Sequence, residues 1–403
     1  MACTGWAAYL AASWTWCIGM FLPVLLIRDF GSWGWVVFAL PNVIGAAAMG
    51  WTIRSRDHSL SFVTNHRLAT AAFSYVTIAF HVFFVIWMFS QLVGTVLTAL
   101  AFGALLTVLL PIFVTNLAVT ALAMLTLCVS VIAVVISAAA GGLRWPQEPP
   151  TGGAFDIVAL AGVCILGFTC CPYLDLTFHR ARQECAEPEQ SRTAFGVGFG
   201  MFFFAMIVFT LFYARGFIDR SIWTSPLMRG VLATHLLVQA MFTVGVHADA
   251  LAGSTSTIRG HRHRWEWLTA TILVPAAMAL ISIKFQQAGK RYGPMEIGEV
   301  CYRTFMSFYG LLAPAYVWIC VWPGRGYTKP NTRAWTILAL ACTAAAPFFW
   351  ISFMNAAMGW VLIGIAIVIG ARWLLDRDSE RRDFLREARS EIPLGSYDPQ
   401  HPR

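Results

Sequence analysis

Hydrophobic runs of about 20 residues recur along almost the whole chain, and each is long enough to cross a bilayer core as a helix. They do not alternate polar and apolar residues, as the strands of a membrane barrel would. With 58% of its 403 residues hydrophobic and 12% charged, the chain has too few polar groups to cover its apolar bulk in water. The expected fold class is therefore an all-α polytopic membrane protein. The first residues lack the charged start and small-residue cleavage site of a signal peptide, so the first span is expected to stay.

About twelve spans are expected: Trp6–Ile27, Trp33–Ile53, Leu68–Val93, Thr95–Val114, Asn116–Ile136, Phe155–Phe178, Ala194–Tyr213, Gly230–Thr257, Trp265–Phe285, Val300–Val321, Ala334–Phe353 and Ala357–Leu375. Only Pro111 and Thr115-Asn116 separate the fourth from the fifth, which could form one kinked element. Most of the 28 lysines and arginines then fall on one side. Among them are Arg54, Arg56, Arg67, Arg180, Arg182, Arg192, Arg325, Lys329, Arg333 and those of the C-terminal stretch. Positive residues gather on the cytoplasmic side, so both termini are expected inside, in a plasma membrane of the bacterial inner-membrane type. The net charge of +8 is explained in this way and needs no nucleic acid. The last segment, 376–403, is charged, poor in apolar residues and reads as a solvated tail.

Two spans carry helix breakers at matching places. The first, "WAAYLAASWTWCIGMFLPVLLI", holds Gly19 and Pro23, and the sixth ends in "GFTCCPYLDLTFHRARQ", with Gly167 and Pro172. A shift of roughly 150 to 165 residues lays spans one to five on spans six to ten. It also sets "NVIGAAAMGW" against "FGVGFGMFFF". Such a pattern predicts two inverted five-helix repeats, 1–137 and 155–322, followed by two further helices in 333–375. A broken helix frees backbone N–H and C=O groups at mid-membrane, tolerable only where they line a cavity or meet a ligand. Breaks are expected at Trp16–Met20 and Gly167–Pro172.

The exit of the eighth span, "FTVGVHADALAGSTSTIRGHRHR", carries Gly253-Ser254-Thr255-Ser256-Thr257-Ile258, which resembles the end of the eighth core helix in the sodium:solute symporter family. "CPYLDLTFHRARQ" resembles that family's sixth core helix, and "FALPNVIGAAAMGW" its glycine-rich second. The resemblance implies the LeuT-type fold and secondary transport. In that family two hydroxyls on the eighth helix help to hold sodium; the aligned positions here are Val246 and His247. Valine offers no oxygen, and an imidazole nitrogen is a poor ligand for a hard cation. A proton-linked or sodium-independent protein is the resulting expectation.

Ionisable groups inside a membrane are costly and usually face a bundle interior or an aqueous path. Around the breaks, Trp14, Trp16, Cys17, Gly19, His81, Cys171, Pro172, Tyr173 and Asp175 form the expected solute site, the aromatics by stacking or cation–π contact. Thr243, His247 and Asp249 are the expected ion-coupling residues. A simpler role is open for each: belt anchoring for a tryptophan, capping for Asp175, a surface charge for Asp249.

Seven of the ten cysteines, Cys17, Cys128, Cys164, Cys170, Cys171, Cys320 and Cys342, fall in apolar runs as small hydrophobes, so no disulfide framework is expected. Cys170-Cys171 would suit a soft metal, and His81 with His235 a haem. Neither has an evident second half, and no cofactor is expected. No Walker loop, Gly-x-Ser-x-Gly elbow or His-Glu-x-x-His motif is present, so an enzyme is not expected. The function expected is secondary transport of a small organic solute by alternating access. The alternative is a transporter-like sensor that binds a solute without moving it.

Overall fold

The computed structural model describes residues 2–109, 116–146, 152–255, 261–322 and 326–375. Pro111, Thr115, the run Ser256-Thr257-Ile258, Arg259, Arg325 and the charged tail 376–403 lie outside the described residues. In chain order the helices are α1 (Ala2–Trp14), α2 (Cys17–Thr52), α3 (Arg56–Asn65), α4 (Arg67–Leu92), α5 (Thr95–Thr107), α6 (Asn116–Ala139), α7 (Ala154–Cys170), α8 (Leu176–Glu184), α9 (Pro188–Val197), α10 (Phe204–Ile218), α11 (Ser221–Thr224), α12 (Pro226–Thr255) and α13 (His261–Gln287). A two-stranded hairpin follows, β1 (Arg291–Tyr292) against β2 (Met295–Glu296), and then α14 (Ile297–Ser307), α15 (Ala313–Tyr316), α16 (Thr332–Asn355) and α17 (Gly359–Ala371).

Among the described residues nine helices are long and apolar enough to cross a membrane, and two shorter apolar helices cover Thr95–Thr107 and Gly359–Leu374. The chain is an all-α polytopic membrane protein. The long α2 is two helices in one, because Gly31 sits at φ +67°, a backbone that only glycine adopts without strain. With α2 divided there, each expected span overlaps a helix.

The breaks fall close to their expected places, each displaced by a few residues: Gly167 lies inside α7 and the second break is Cys171–Asp175. In the first span the helix stops at Trp14 and resumes at Cys17, so Thr15 and Trp16 form the break while Gly19 lies inside α2. Pro23 acts without breaking the helix: lacking an N–H, it leaves the Gly19 carbonyl without its donor. Thr210 Oγ1 donates to that carbonyl at 3.1 Å instead. The sixth span does break at its proline: Cys171–Leu174 form a single 3-10 turn, and α8 starts after Asp175.

Both broken helices are gripped by small residues. A Cβ on Gly45 of α2 would lie 2.2 Å from the Phe168 carbonyl of α7, and one on Gly198 would lie 2.8 Å from the Ala7 carbonyl of α1. Only glycine lets these backbones come so near. Gly198 opens a π-helical segment, Gly198–Phe203, and similar wide turns occupy Phe308–Leu312 and Val317–Val321.

Candidate functional site

At the first break the freed backbone groups are met by side chains from other helices. The Cys17 N–H donates to His81 Nε2 (3.2 Å), and His81 Nδ1 lies 2.7 Å from the Thr77 carbonyl. An acceptor at Nε2 fixes the neutral tautomer with its proton on Nδ1. The Cys17 carbonyl accepts from Tyr302 Oη (3.0 Å), and the Met20 carbonyl from Tyr213 Oη. His81 therefore holds the break from α4, with both ring nitrogens already engaged.

At the second break Asp175 is the N-cap of α8: its Oδ1 accepts from Thr177 N and Thr177 Oγ1, both at 2.7 Å. Thr177 Oγ1 also reaches Ser13 Oγ of α1 at 3.2 Å, which ties one break to the other. The carbonyl of Tyr173 lies 2.9 Å from His179 Nε2, and that of Pro172 accepts from the Asp175 N–H. In this conformation these backbone groups are bonded within the protein.

The remaining Asp175 oxygen is different. Oδ2 has no hydrogen-bond partner and lies 3.9 Å from His247 Nε2, which has none either. Both side chains are fully buried. His247 Nδ1 sits 3.0 Å from Ser74 Oγ, and its ring stands edge-on to Trp16 with centroids 5.8 Å apart. Asp175, expected at the solute site, and His247, expected to couple an ion, are thus brought together.

Trp16 lines a cavity of about 70 Å³, together with Trp14 and Gly19 near the first break, Gly167 and Cys171 near the second, and Tyr309. Trp16 also packs on Trp14 (4.3 Å) and Tyr309 (5.3 Å), and its indole N–H donates to the Ser13 carbonyl. The volume is well below the roughly 300 Å³ at which ligand pockets usually begin, so the centre is contracted here. A second cavity of about 550 Å³, with Arg28, Trp87, Arg220 and Glu299 in its wall, shares Leu25 with the first and opens toward one face. Phe21 lines the second, edge-on to Tyr302 (5.3 Å) and Trp87 (5.7 Å). Beside it Glu299 binds Arg28 through both oxygens, and Arg303 joins Glu299 (2.8 Å) to Asp29 (2.6 Å).

Of the expected solute residues, Trp14, Trp16, Gly19 and Cys171 line the central cavity; Cys17, His81, Pro172, Tyr173 and Asp175 do not. Thr243 donates to the Ala12 carbonyl (3.3 Å), and Asp249 is ion-paired with Arg180, well away from the Asp175–His247 pair in role. Sequence reasoning missed Asn42, whose Oδ1 accepts from Trp14 Nε1 (2.7 Å), although it lies in the glycine-rich stretch already singled out. It also missed Tyr309, whose hydroxyl is 3.0 Å from Thr77 Oγ1 and whose carbonyl accepts from the Cys171 thiol. Tyr309 belongs to a π-helical turn, which no spacing in the sequence betrays. All ten cysteines are free, and among the described residues no three His, Cys, Asp or Glu side chains gather as a metal-ligand set.

No family model matches the chain, and no curated protein matches it. Among solved structures it is similar to the manganese transporter of Eremococcus coleocola, crystallised with an aromatic bis-isothiourea substituted compound. The sequences are 13% identical and the TM-score is 0.51, over 96% of this chain and 95% of that one. At that identity the likeness is one of fold. The chain is an integral membrane protein with the fold of a membrane transporter.

Proposed function

We propose that the protein is a secondary transporter of a small organic solute, proton-linked and sodium-independent, built on two inverted five-helix repeats of the LeuT type. The observation that carries the reading is the meeting of both broken helices at one cavity, with Trp16 both lining that cavity and packed on His247 of the Asp175–His247 pair. A solute larger than the contracted space must displace Trp16. The same ring touches the imidazole whose Nε2 is free, so solute occupancy and protonation act on one side chain. Reciprocal packing supports the repeat: Gly45 of the first block meets α7, the first helix of the second, while Gly198 of the second meets α1.

The lining speaks for an organic body over a bare divalent cation. It offers tryptophan and tyrosine faces and a thiol, where a hard ion needs several oxygens at 2 to 2.6 Å. The fold likeness to a manganese transporter supports the second reading, a metal cargo. Counterflow in proteoliposomes tests both and also separates a transporter from a sensor. Labelled amino acids, amines, sugars, nucleobases and Mn²⁺ are each loaded and exchanged. Exchange of an organic solute, unchanged when choline replaces sodium, is the expected result; exchange of Mn²⁺ alone would transfer the reading to metal, and binding without exchange would leave a sensor.

A further inference from the structure

On α12, His235, Gln239, Thr243 and His247 recur at every fourth position, a spacing that stacks side chains along one face of a helix. None is more than 1% exposed. Opposite them α6 presents Ser130 and, two turns on, Ser137, both fully buried. Ser130 Oγ lies 3.0 Å from His235 Nδ1 and accepts from Gln239 Nε2 at 2.8 Å. The two helices run antiparallel: Gly142, just beyond α6, abuts Met228 in the first turn of α12.

Polar side chains can simply join membrane helices, and such contacts then satisfy their members. Here Gln239 Oε1, Ser137 Oγ and His247 Nε2 are buried without partners. No member of the file lines either of the two cavities described above. At its inner end stands Asp175 Oδ2, 3.9 Å from His247 Nε2.

We propose that this file on α12, with Ser130 and Ser137 of α6, is a proton relay joining the Met228 end of the bundle to the Asp175–His247 pair, separate from the solute cavity. It rests on the reading of that pair as the proton site. Neighbours along the file are about 6 Å apart in rise, so one water between turns links each to the next. A proton arriving at one ring nitrogen of His235 is matched by release from the other. The Ser130 hydroxyl passes on its own proton as it gains one, and Gln239 and Thr243 orient the intervening waters. One proton enters, one is bound by Asp175 or His247, and only N–H and O–H bonds change.

The titratable and charged groups facing the inner end are few. Tyr9 of α1, His81 of α4, and Cys171 and Tyr309 lie near the pair, and Arg180 of α8 is held by Asp249 of α12 itself. Tyr213 of α10 packs on Phe209, which lies against His235, and α5 brings no charged residue.

The test adds to the outside the solute that exchanges in counterflow, since a coupled carrier moves no protons without it. Full-length protein is placed in vesicles containing a pH-sensitive dye, and a valinomycin potassium potential drives protons inward. Wild type should acidify the lumen faster than empty vesicles. Gln239→Met and Ser130→Ala should each slow this at least tenfold, with melting temperature and gel-filtration profile showing that the variants fold. Flux through Asp175→Asn separates the two readings. Loss in Asp175→Asn with full flux in Gln239→Met and Ser130→Ala would overturn the relay and leave the central pair standing. Wild-type flux equal to empty vesicles, or full flux in all three variants, would overturn both.

Discussion

Asp175 Oδ2 and His247 Nε2 face each other across 3.9 Å in a fully buried space, and neither atom has another partner. The rest of each side chain is fixed, Asp175 by capping α8 and His247 by Ser74. Two titratable groups so placed can share a single proton, and an unpaired buried charge on either is costly. Asp175→Asn, which keeps the cap acceptor and removes the acid, should flatten the pH dependence of solute uptake. His247→Gln should do the same. Uptake measured from pH 5.5 to 8.5 in proteoliposomes checks this; an unaltered profile in both variants would remove the pair from coupling.

Trp16 lines the cavity and packs on Trp14, Phe73, Tyr309 and His247. Each aromatic contact contributes about 0.5 to 1.5 kcal/mol beyond area. A solute stacked on Trp16 loses one such contact in Trp16→Ala, so binding should weaken by about 2- to 10-fold and its dependence on pH loosen, while Trp16→Phe keeps much of both. Isothermal titration at two pH values reads the two effects together.

Gly45 and Gly31 make a contrasting pair of structural predictions. Gly45→Ala drives a methyl to 2.2 Å from the Phe168 carbonyl, so α2 and α7 must separate, at about 1 to 3 kcal/mol. Gly31→Ala forces a side chain to φ +67°, at about 1 to 2 kcal/mol from the backbone alone. Thermal unfolding in detergent should show both variants less stable, and Gly45→Ala should also lose transport because the second break shifts.

Glu299 lies between Arg28 and Arg303, which also holds Asp29 and the Phe353 carbonyl. Removing one member of a buried charge set leaves the others uncompensated, typically at about 3 to 5 kcal/mol. Glu299→Ala should lower the melting temperature well below that of Arg192→Ala, whose pair with Glu189 is solvent-exposed. Differential scanning fluorimetry of the two variants gives the comparison.

The spans were legible because apolar length is written directly in the sequence, and so were the two breaks, through Pro172 and the Gly19–Pro23 pair. The exact first break was not: Thr15 and Trp16 carry no breaker, and the start of α2 just after them is held by His81, Tyr302, Thr210 and Tyr213 from three other helices. Asp175 and His247 could be singled out as buried ionisable residues, but they lie more than 70 positions apart and their facing atoms are a matter of packing. Asn42 and Tyr309 were invisible for the same reason. Asp249 illustrates the opposite case, since a charge near a helix end reads the same whether it meets an ion or, as here, Arg180.

In the proposed function, solute movement through the cavity between the two breaks is tied to protons at Asp175 and His247. The most direct test takes the solute identified by counterflow. Uptake into wild-type and Asp175→Asn proteoliposomes is then measured under an inward pH gradient, with sodium, potassium or choline outside. Gradient-driven accumulation is expected in the wild type, equal in all three cations, and only passive equilibration in Asp175→Asn. Accumulation that requires sodium and persists in Asp175→Asn would contradict the proposed function.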